Sequence, residues 1–410
     1  MSLKKNIINL FGTQIIGYLV PLLQYPYLTR VIGTEFLGLY IFSLSIINIA
    51  NIITNFGFDI SISKNIAKKN KSFEDLSKLN FSVAIAKVFL LFPCVILLLI
   101  TSLFTDYYAE HNTLLFFIFL SIFGNAFNLI WLFQGLEKLY IYSRLFISTK
   151  ITSLIFIFIF VKEKNDLNML FIITCCQFIF LSIISYIYIF SKGCRFETSS
   201  IKNSLLLIKE SSGYFFSRLG TSIYSTCGSF FLGLFSGSLH QVAIYGAAEQ
   251  LYKAGVYAVS AISTPLIPYM ARTENFKVFF KITLLSVLIT LFGSSVGYFF
   301  GEYIITTIYS DTLIDAYNVL KVFMLTIIIS IIGIHFGYPA LIPLRKEKIA
   351  NYSVLISGLL QLLMIFIWWA FNKPFTALTI AYMYFLCDLI MTLIRLYYFG
   401  SNYFNYKKNL

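Results

Sequence analysis

Three charged residues lie inside apolar segments near the middle of this sequence. Arg218 lies in one segment, Glu249 and Lys253 lie in the next, and a short polar loop at 237–241 separates the two segments. A charge held in hydrocarbon is costly and marks a candidate functional site. A guanidinium binds phosphate through two parallel hydrogen bonds, and an ammonium attracts the same group as a point charge. These residue types predict an anion-binding site, provided that the segments cross a bilayer.

Carboxylates accompany these cations. Glu249 and Lys253 are four residues apart, so on a helix they can pair, and the sequence leaves open whether Glu249 neutralises Lys253 or releases it to a ligand. Arg218 has no obvious partner in its own segment, and Asp388 lies midway along the last apolar segment. A buried carboxylate can take up a proton or Na⁺ and so bias a conformational equilibrium. We expect Glu249, Asp388 and Asp59 to be the ion-coupling residues.

Polar side chains recur at helical spacing beside these charges. Asn48, Asn51, Asn55 and Asp59 follow one another at intervals of three or four, which predicts one polar helix face. Lipid cannot satisfy such groups, so the face must meet protein or water, and Asn and Tyr suit sugar hydroxyls and ring faces. For any single Asn, hydrogen bonding between packed helices is the competing explanation. The predicted substrate-binding residues are Arg30, Asn51, Asn55, Arg218, Tyr245 and Lys253, with Arg30 near the outer exit.

Composition identifies the solvent around these segments. Of 410 residues, 58% are hydrophobic and only 12% are charged, and the mean hydropathy is +0.81. Apolar runs of about 20 residues, long enough to span hydrocarbon as helices, recur along the chain. The sequence therefore predicts an all-α integral membrane protein with 12 transmembrane helices. The predicted spans are 6–29, 36–57, 81–104, 113–134, 145–161, 168–190, 212–235, 243–268, 279–300, 317–341, 351–371 and 376–399.

The distribution of basic residues predicts the topology. If the spans alternate, nearly all Lys and Arg of the connections lie on one side, whereas the other side holds Arg30, Lys162, Lys164 and Lys373. The positive-inside rule then makes both termini cytoplasmic. The net charge of +13 is thus explained by topology, and its scatter over short loops argues against nucleic-acid binding.

The spans divide equally between the two halves of the chain. Leu37–Tyr40 and Val242–Tyr245 open corresponding spans about half a chain apart, which suggests an internal repeat. We expect two six-helix lobes, residues 1–200 and 201–410, around a central cavity. The six Cys form no CxxC pair and the three His have no paired ligand spacing, so neither a metal site nor a cofactor is expected.

Several motifs resemble those of a known family. The runs Gln24–Gly33 and Phe36–Tyr40, the segment Asn55–Asp59 and the segment Trp131–Glu137 resemble the first half of O-antigen flippases. These form the polysaccharide-transporter branch of the multidrug/oligosaccharidyl-lipid/polysaccharide exporter superfamily. The segment from Gly213 to Arg272 resembles the second-half hairpin. Lys64 departs from this pattern, since that place is often held by Arg.

The resemblance implies a function. Such a protein flips an undecaprenyl-pyrophosphate-linked oligosaccharide, a repeat unit of lipopolysaccharide, from the cytoplasmic to the periplasmic leaflet of the bacterial inner membrane. It does so by alternating access coupled to a proton or sodium gradient, and it is not an enzyme. The implied partners are the lipid bilayer, the lipid-linked glycan, the coupling ion and the polysaccharide polymerase machinery, and the protein is expected to function as a monomer.

Other functions remain open at this stage. The same fold could export a capsule or teichoic unit, a lipid-linked peptidoglycan precursor or a drug, although the excess of cations on the polar faces favours an anion over a cationic drug. A membrane glycosyltransferase or polysaccharide polymerase would need a sizeable extramembrane loop, and the predicted outer connections are short.

Overall fold

The computed structural model describes residues 3–68 and 72–408, which form helices joined by short connections, with no strand among them. The predicted all-α fold is confirmed. The α-helices are α1 Leu3–Val31, α2 Thr34–Asn55, α3 Phe58–Lys68, α4 Phe73–Phe104, α5 Asn112–Ala126, α6 Ile130–Gly135, α7 Leu139–Phe160, α8 Leu167–Ser191, α9 Ile201–Thr226, α10 Gly228–Phe235, α11 Leu239–Ser263, α12 Leu266–Thr273, α13 Phe276–Phe299, α14 Gly301–Ile308, α15 Ala316–His335, α16 Tyr338–Leu341, α17 Glu347–Ala370 and α18 Ala377–Lys408.

Helix ends follow local sequence signals. Ser72 caps α4 by accepting from the amide of Asp75, whose carboxylate in turn accepts from the Ser72 amide, so that two otherwise unpaired donors are satisfied. Asn275 caps α13 through the amide of Val278. Pro21 and Pro26 lie inside α1, which stays one helix in spite of them.

Nine helical stretches of the described chain are long and apolar enough to cross a membrane, so the chain is a multi-pass membrane protein. They are Thr34–Ala67, Phe73–Phe104, Asn112–Gly135, Leu139–Phe160, Lys164–Ser191, Phe276–Phe299, Ala316–Leu341, Glu347–Ala370 and Ala377–Phe404. The helices α1, α9 and α11 are not among them. Of these three, α9 carries Arg218 and α11 carries Glu249 and Lys253. The full count of 12 spans stays a prediction.

The chain forms two compact units, Met1–Leu219 and Gly220–Leu410. The boundary falls inside α9, whereas the sequence places it at residue 200. In the first unit α1 packs on α7, α5 on α8 and α3 on α6, while α2 lies against α4 and α5. The core of this unit includes Phe58, Trp131 and Phe133, all fully buried.

The second unit is built around α15, which packs against α11, α13 and α18. A second buried cluster includes Met270 of α12, Phe279 of α13 and Leu341 of α16. The ring of Phe399 in α18 packs against the rings of Phe276 and Phe279, with centroid distances of 5.9 and 6.0 Å. Aromatic packing of this kind explains much of the high aromatic content within this unit.

A break separates α2 from α3 where the sequence predicts one continuous polar face. Phe56 adopts φ 44° and Gly57 φ 75°, so the backbone turns through the left-handed region before α3 begins at Phe58. The prediction that Asp59 shares a helix face with Asn51 and Asn55 is therefore wrong. Asp59 lies instead in the first turn of a separate helix.

Candidate functional site

Arg218 forms an ion pair with Asp59. Its guanidinium donates from Nη1 to Oδ2 of the carboxylate, 159 residues away in sequence, and both residues belong to the first unit. The Arg218 side chain keeps 43% of its surface exposed, whereas the Asp59 side chain keeps 12%. The partner that the sequence did not reveal thus comes from α3. Because a guanidinium has five donors, one contact leaves others available to an anion.

The pair lies where α3 meets the middle of α9. Ser61 and Ser211 hydrogen-bond through their hydroxyls, and the rings of Phe56 and Phe215 stack with centroids 4.3 Å apart. Gly57 packs against Tyr214, and a Cβ added to Gly57 would be 2.8 Å from the Cβ of Tyr214. Only glycine allows this approach, and glycine also tolerates the positive φ of the turn.

A buried lysine also belongs to the first unit. Lys87 of α4 is only 4% exposed, and its Nζ donates to the carbonyl oxygen of Asn128 at 2.9 Å. Asn128 also binds the hydroxyl of Tyr142 at 2.6 Å, so Lys87 is anchored to a hydrogen-bonded segment.

Glu249 and Lys253 form the ion pair that the sequence leaves open. The Lys253 Nζ lies 2.9 Å from Oε2 of Glu249, one turn away on α11. The Lys253 side chain keeps 22% of its surface exposed and the Glu249 side chain 11%, so the pair is largely shielded from solvent within the second unit. The carboxylate therefore neutralises Lys253 in this conformation.

Asp388 lies at the centre of a buried hydrogen-bond network in the second unit. Ser330 of α15 donates to Oδ2 of Asp388, and the Tyr252 hydroxyl bonds Ser330 at 2.8 Å and Tyr384 at 3.1 Å. Arg395 of the same helix donates to the carbonyl oxygens of Gly333 and Ala350 and to the hydroxyl of Ser353. A carboxyl with hydroxyl partners of this kind can exchange a proton or accept a small cation.

The remaining predicted substrate residues fall into two groups. Asn51 and Asn55 are half-buried on α2, and Arg30 is exposed at the end of α1. Tyr245 lies in the core of the second unit, 1% exposed, with its ring edge-on to Phe323 and its hydroxyl against Gly228. It has almost no surface that a sugar could meet. The described residues contain no cluster of three or more His, Cys, Asp or Glu that could hold a metal ion.

Sequence reasoning missed the partners of both carboxylates. Arg218 and Ser330 come from helices distant in sequence from Asp59 and Asp388, so no periodicity connects them. For Asp59 the one available signal was that Arg218 lacks a partner in its own segment.

Comparison with known proteins gives the family. The family model described as "Polysaccharide biosynthesis protein" matches residues 3–274. A protein of Shigella dysenteriae named "Putative O-antigen transporter" is 28% identical over 373 residues, which cover 89% of this chain and 92% of that protein. A protein of Escherichia coli (strain K12) with the same name is 27% identical over 274 residues, 67% of this chain and 66% of that protein.

Solved structures share the fold. "Lipid II flippase MurJ, inward closed conformation" matches with a TM-score of 0.74 at 16% identity, over 96% of this chain and 86% of that one. An inward-facing "multidrug resistance MATE family transporter of the MOP superfamily" matches with a TM-score of 0.66 at 13% identity, over 98% of this chain and 99% of that one. The relatives and neighbours are named as transporters or flippases, not as enzymes.

Proposed function

Because the chain belongs to the polysaccharide biosynthesis protein family, we propose that it is a flippase for a lipid-linked oligosaccharide. Two relatives named as O-antigen transporters and the fold of a flippase support this proposal. The substrate is a glycan carried on undecaprenyl pyrophosphate, moved across the bacterial inner membrane by alternating access with both termini in the cytoplasm. The sequence relatives favour this substrate over a peptidoglycan precursor, for which the only support is a shared fold.

The observation that carries the proposal is the half-exposed Arg218 guanidinium. A cation in a multi-pass membrane protein needs a counter-charge, and among the described residues of the first unit Arg218 pairs with one carboxylate oxygen, Oδ2 of Asp59. Its remaining donors can bind a diphosphate bidentately. Lys253 supplies a second cation once Glu249 releases it, and Arg30 lies near the outer exit. Asn51 and Asn55, half-buried on α2, contribute to sugar binding.

Ion coupling is assigned to Asp388, with Glu249 as the second candidate. Asp388 is 2% exposed and accepts a hydrogen bond from Ser330 of α15, whose hydroxyl also bonds Tyr252 of α11. Protonation or Na⁺ binding at this carboxyl changes hydrogen bonds that connect three helices. A proton or sodium gradient can therefore bias the conformation of the second unit. Asp59, the third predicted coupling residue, is engaged with Arg218.

Replacement of Arg218 tests the proposal. We expect Arg218→Ala to abolish surface glycan while the protein remains folded and inserted, because the diphosphate loses its bidentate donor. Arg218→Lys should be intermediate, since the charge survives without the fork geometry. The measurement is surface polysaccharide in cells that lack the native gene and carry each variant, with protein level in the membrane as the control. Undiminished glycan with Arg218→Ala would refute the proposed site.

A further inference from the structure

Asp59 holds the guanidinium that the proposed function assigns to the substrate. We propose that Asp59 is an internal competitor of the substrate's diphosphate for Arg218. With no anion bound, the carboxylate neutralises Arg218, and an arriving diphosphate takes its place. When Asp59 reclaims the guanidinium, it helps the diphosphate to leave. This inference rests on the proposed function and adds a release step to it.

A competitor must be able to give up its partner at low cost, and the surroundings of Asp59 allow this. Its carboxylate lies in the first turn of α3, where the positive end of the helix dipole stabilises negative charge. The Asp59 side chain also keeps 12% of its surface exposed, so the carboxylate is not sealed from water. The carboxylate thus retains a helix terminus and contact with water without Arg218.

The backbone at this place does not depend on the ion pair. The hydroxyl contact of Ser61 with Ser211 and the stacked rings of Phe56 and Phe215 join α3 to α9 independently of any charge. Gly57 keeps the two backbones in contact. The exchange of Asp59 for a diphosphate therefore requires only that the Arg218 side chain move, while both helices stay where they are.

Exposure sets the size of the effect. The Arg218 side chain is 43% exposed, so water and salt screen the pair, and it resembles a surface ion pair more than a fully buried one. Competition by Asp59 should therefore weaken diphosphate binding by about 1.5- to fivefold. That range is strong enough to speed release and weak enough to permit loading.

Direct binding measurements test the inference. The full-length protein in lipid nanodiscs is titrated with undecaprenyl diphosphate and, separately, with inorganic pyrophosphate, which distinguishes a lipid-borne from a free diphosphate. The variants are Asp59→Asn, Arg218→Gln and the double variant. Glu74→Gln is the matched control, because it removes a carboxylate from the exposed Lys78–Glu74 pair in the same unit. Thermal stability of each variant reports whether it is folded.

The expected result is a pattern across the four variants. Asp59→Asn should bind the lipid diphosphate about 1.5- to fivefold more tightly and release it more slowly, whereas Glu74→Gln should match the unmodified protein. The double variant should bind as weakly as Arg218→Gln, since Asp59 acts only through Arg218.

If Arg218→Gln weakens binding but Asp59→Asn does not tighten it, the competitor role is overturned and the proposed function survives. If Arg218→Gln leaves binding unchanged, both are overturned. Tightening seen only with inorganic pyrophosphate would also contradict the assigned role in lipid transport.

Discussion

Gly57 is the residue that brings the Asp59 turn against α9, and its replacement by alanine offers a quantitative test. A Cβ at this position would lie 2.8 Å from the Cβ of Tyr214 and 3.1 Å from the backbone nitrogen of Phe215. Neither atom can move aside by rotating a side chain, because both belong to the framework of α9. Relief of the clash must therefore separate α3 from α9.

Two costs add at Gly57. Alanine in the left-handed region costs about 1–2 kcal/mol, and forced overpacking costs about 1–3 kcal/mol more. We expect Gly57→Ala to lower the free energy of unfolding by about 2–5 kcal/mol. Separation of the helices should also draw Asp59 away from Arg218, so glycan export should fall together with stability.

Gly193→Ala is the matched control for backbone strain. Gly193 belongs to the same unit, has φ 94°, and a Cβ there would meet no heavy atom within 4 Å. It should show only the conformational cost of about 1–2 kcal/mol and normal export. The assays are thermal unfolding of the purified protein in detergent and surface glycan in cells. Equal losses of stability for the two variants would refute the reasoning, because the contact with α9 would then contribute nothing.

Two further predictions concern the second unit. Asp388→Asn should abolish the dependence of transport on an imposed proton or sodium gradient in vesicles, because the amide cannot cycle its charge; unchanged gradient dependence would remove Asp388 from the mechanism. Gly358→Ala should destabilise the protein by about 1–3 kcal/mol, because its Cβ would lie 2.5 Å from the carbonyl oxygen of Gly220. Gly293→Ala is the control: its Cβ would meet no heavy atom within 4 Å, so thermal stability should be unchanged or slightly raised.

Apolar runs were sufficient to predict a helical membrane protein, because each transmembrane helix must satisfy its own backbone and therefore leaves a local signature. The break at Phe56 and Gly57 was not predicted, since the hydrophobic pattern continues through it and only the backbone conformation reveals the turn. The four-residue spacing of Asn51, Asn55 and Asp59 therefore crosses this turn and does not place the three on one helix face.

The candidate site was predictable only as far as local spacing reaches. Glu249 and Lys253 are neighbours on one helix, so their pairing is a possibility that the sequence itself raises. The pairing of Arg218 with Asp59 joins residues 159 positions apart, and single-sequence spacing contains no information about such contacts. Tyr245 was predicted to bind substrate from its residue type, yet core packing, which a single sequence does not reveal, leaves its side chain 1% exposed.

The most direct test of the central claim is a flipping measurement with purified protein in proteoliposomes. A lipid-diphosphate-linked oligosaccharide is placed in both leaflets, and the fraction accessible from outside is followed with and without an imposed ion gradient. The account predicts that the unmodified protein redistributes the lipid between leaflets under the gradient, whereas Arg218→Ala does not. Equally fast redistribution with Arg218→Ala would contradict it. So would the absence of redistribution by the unmodified protein under an imposed proton gradient and under an imposed sodium gradient.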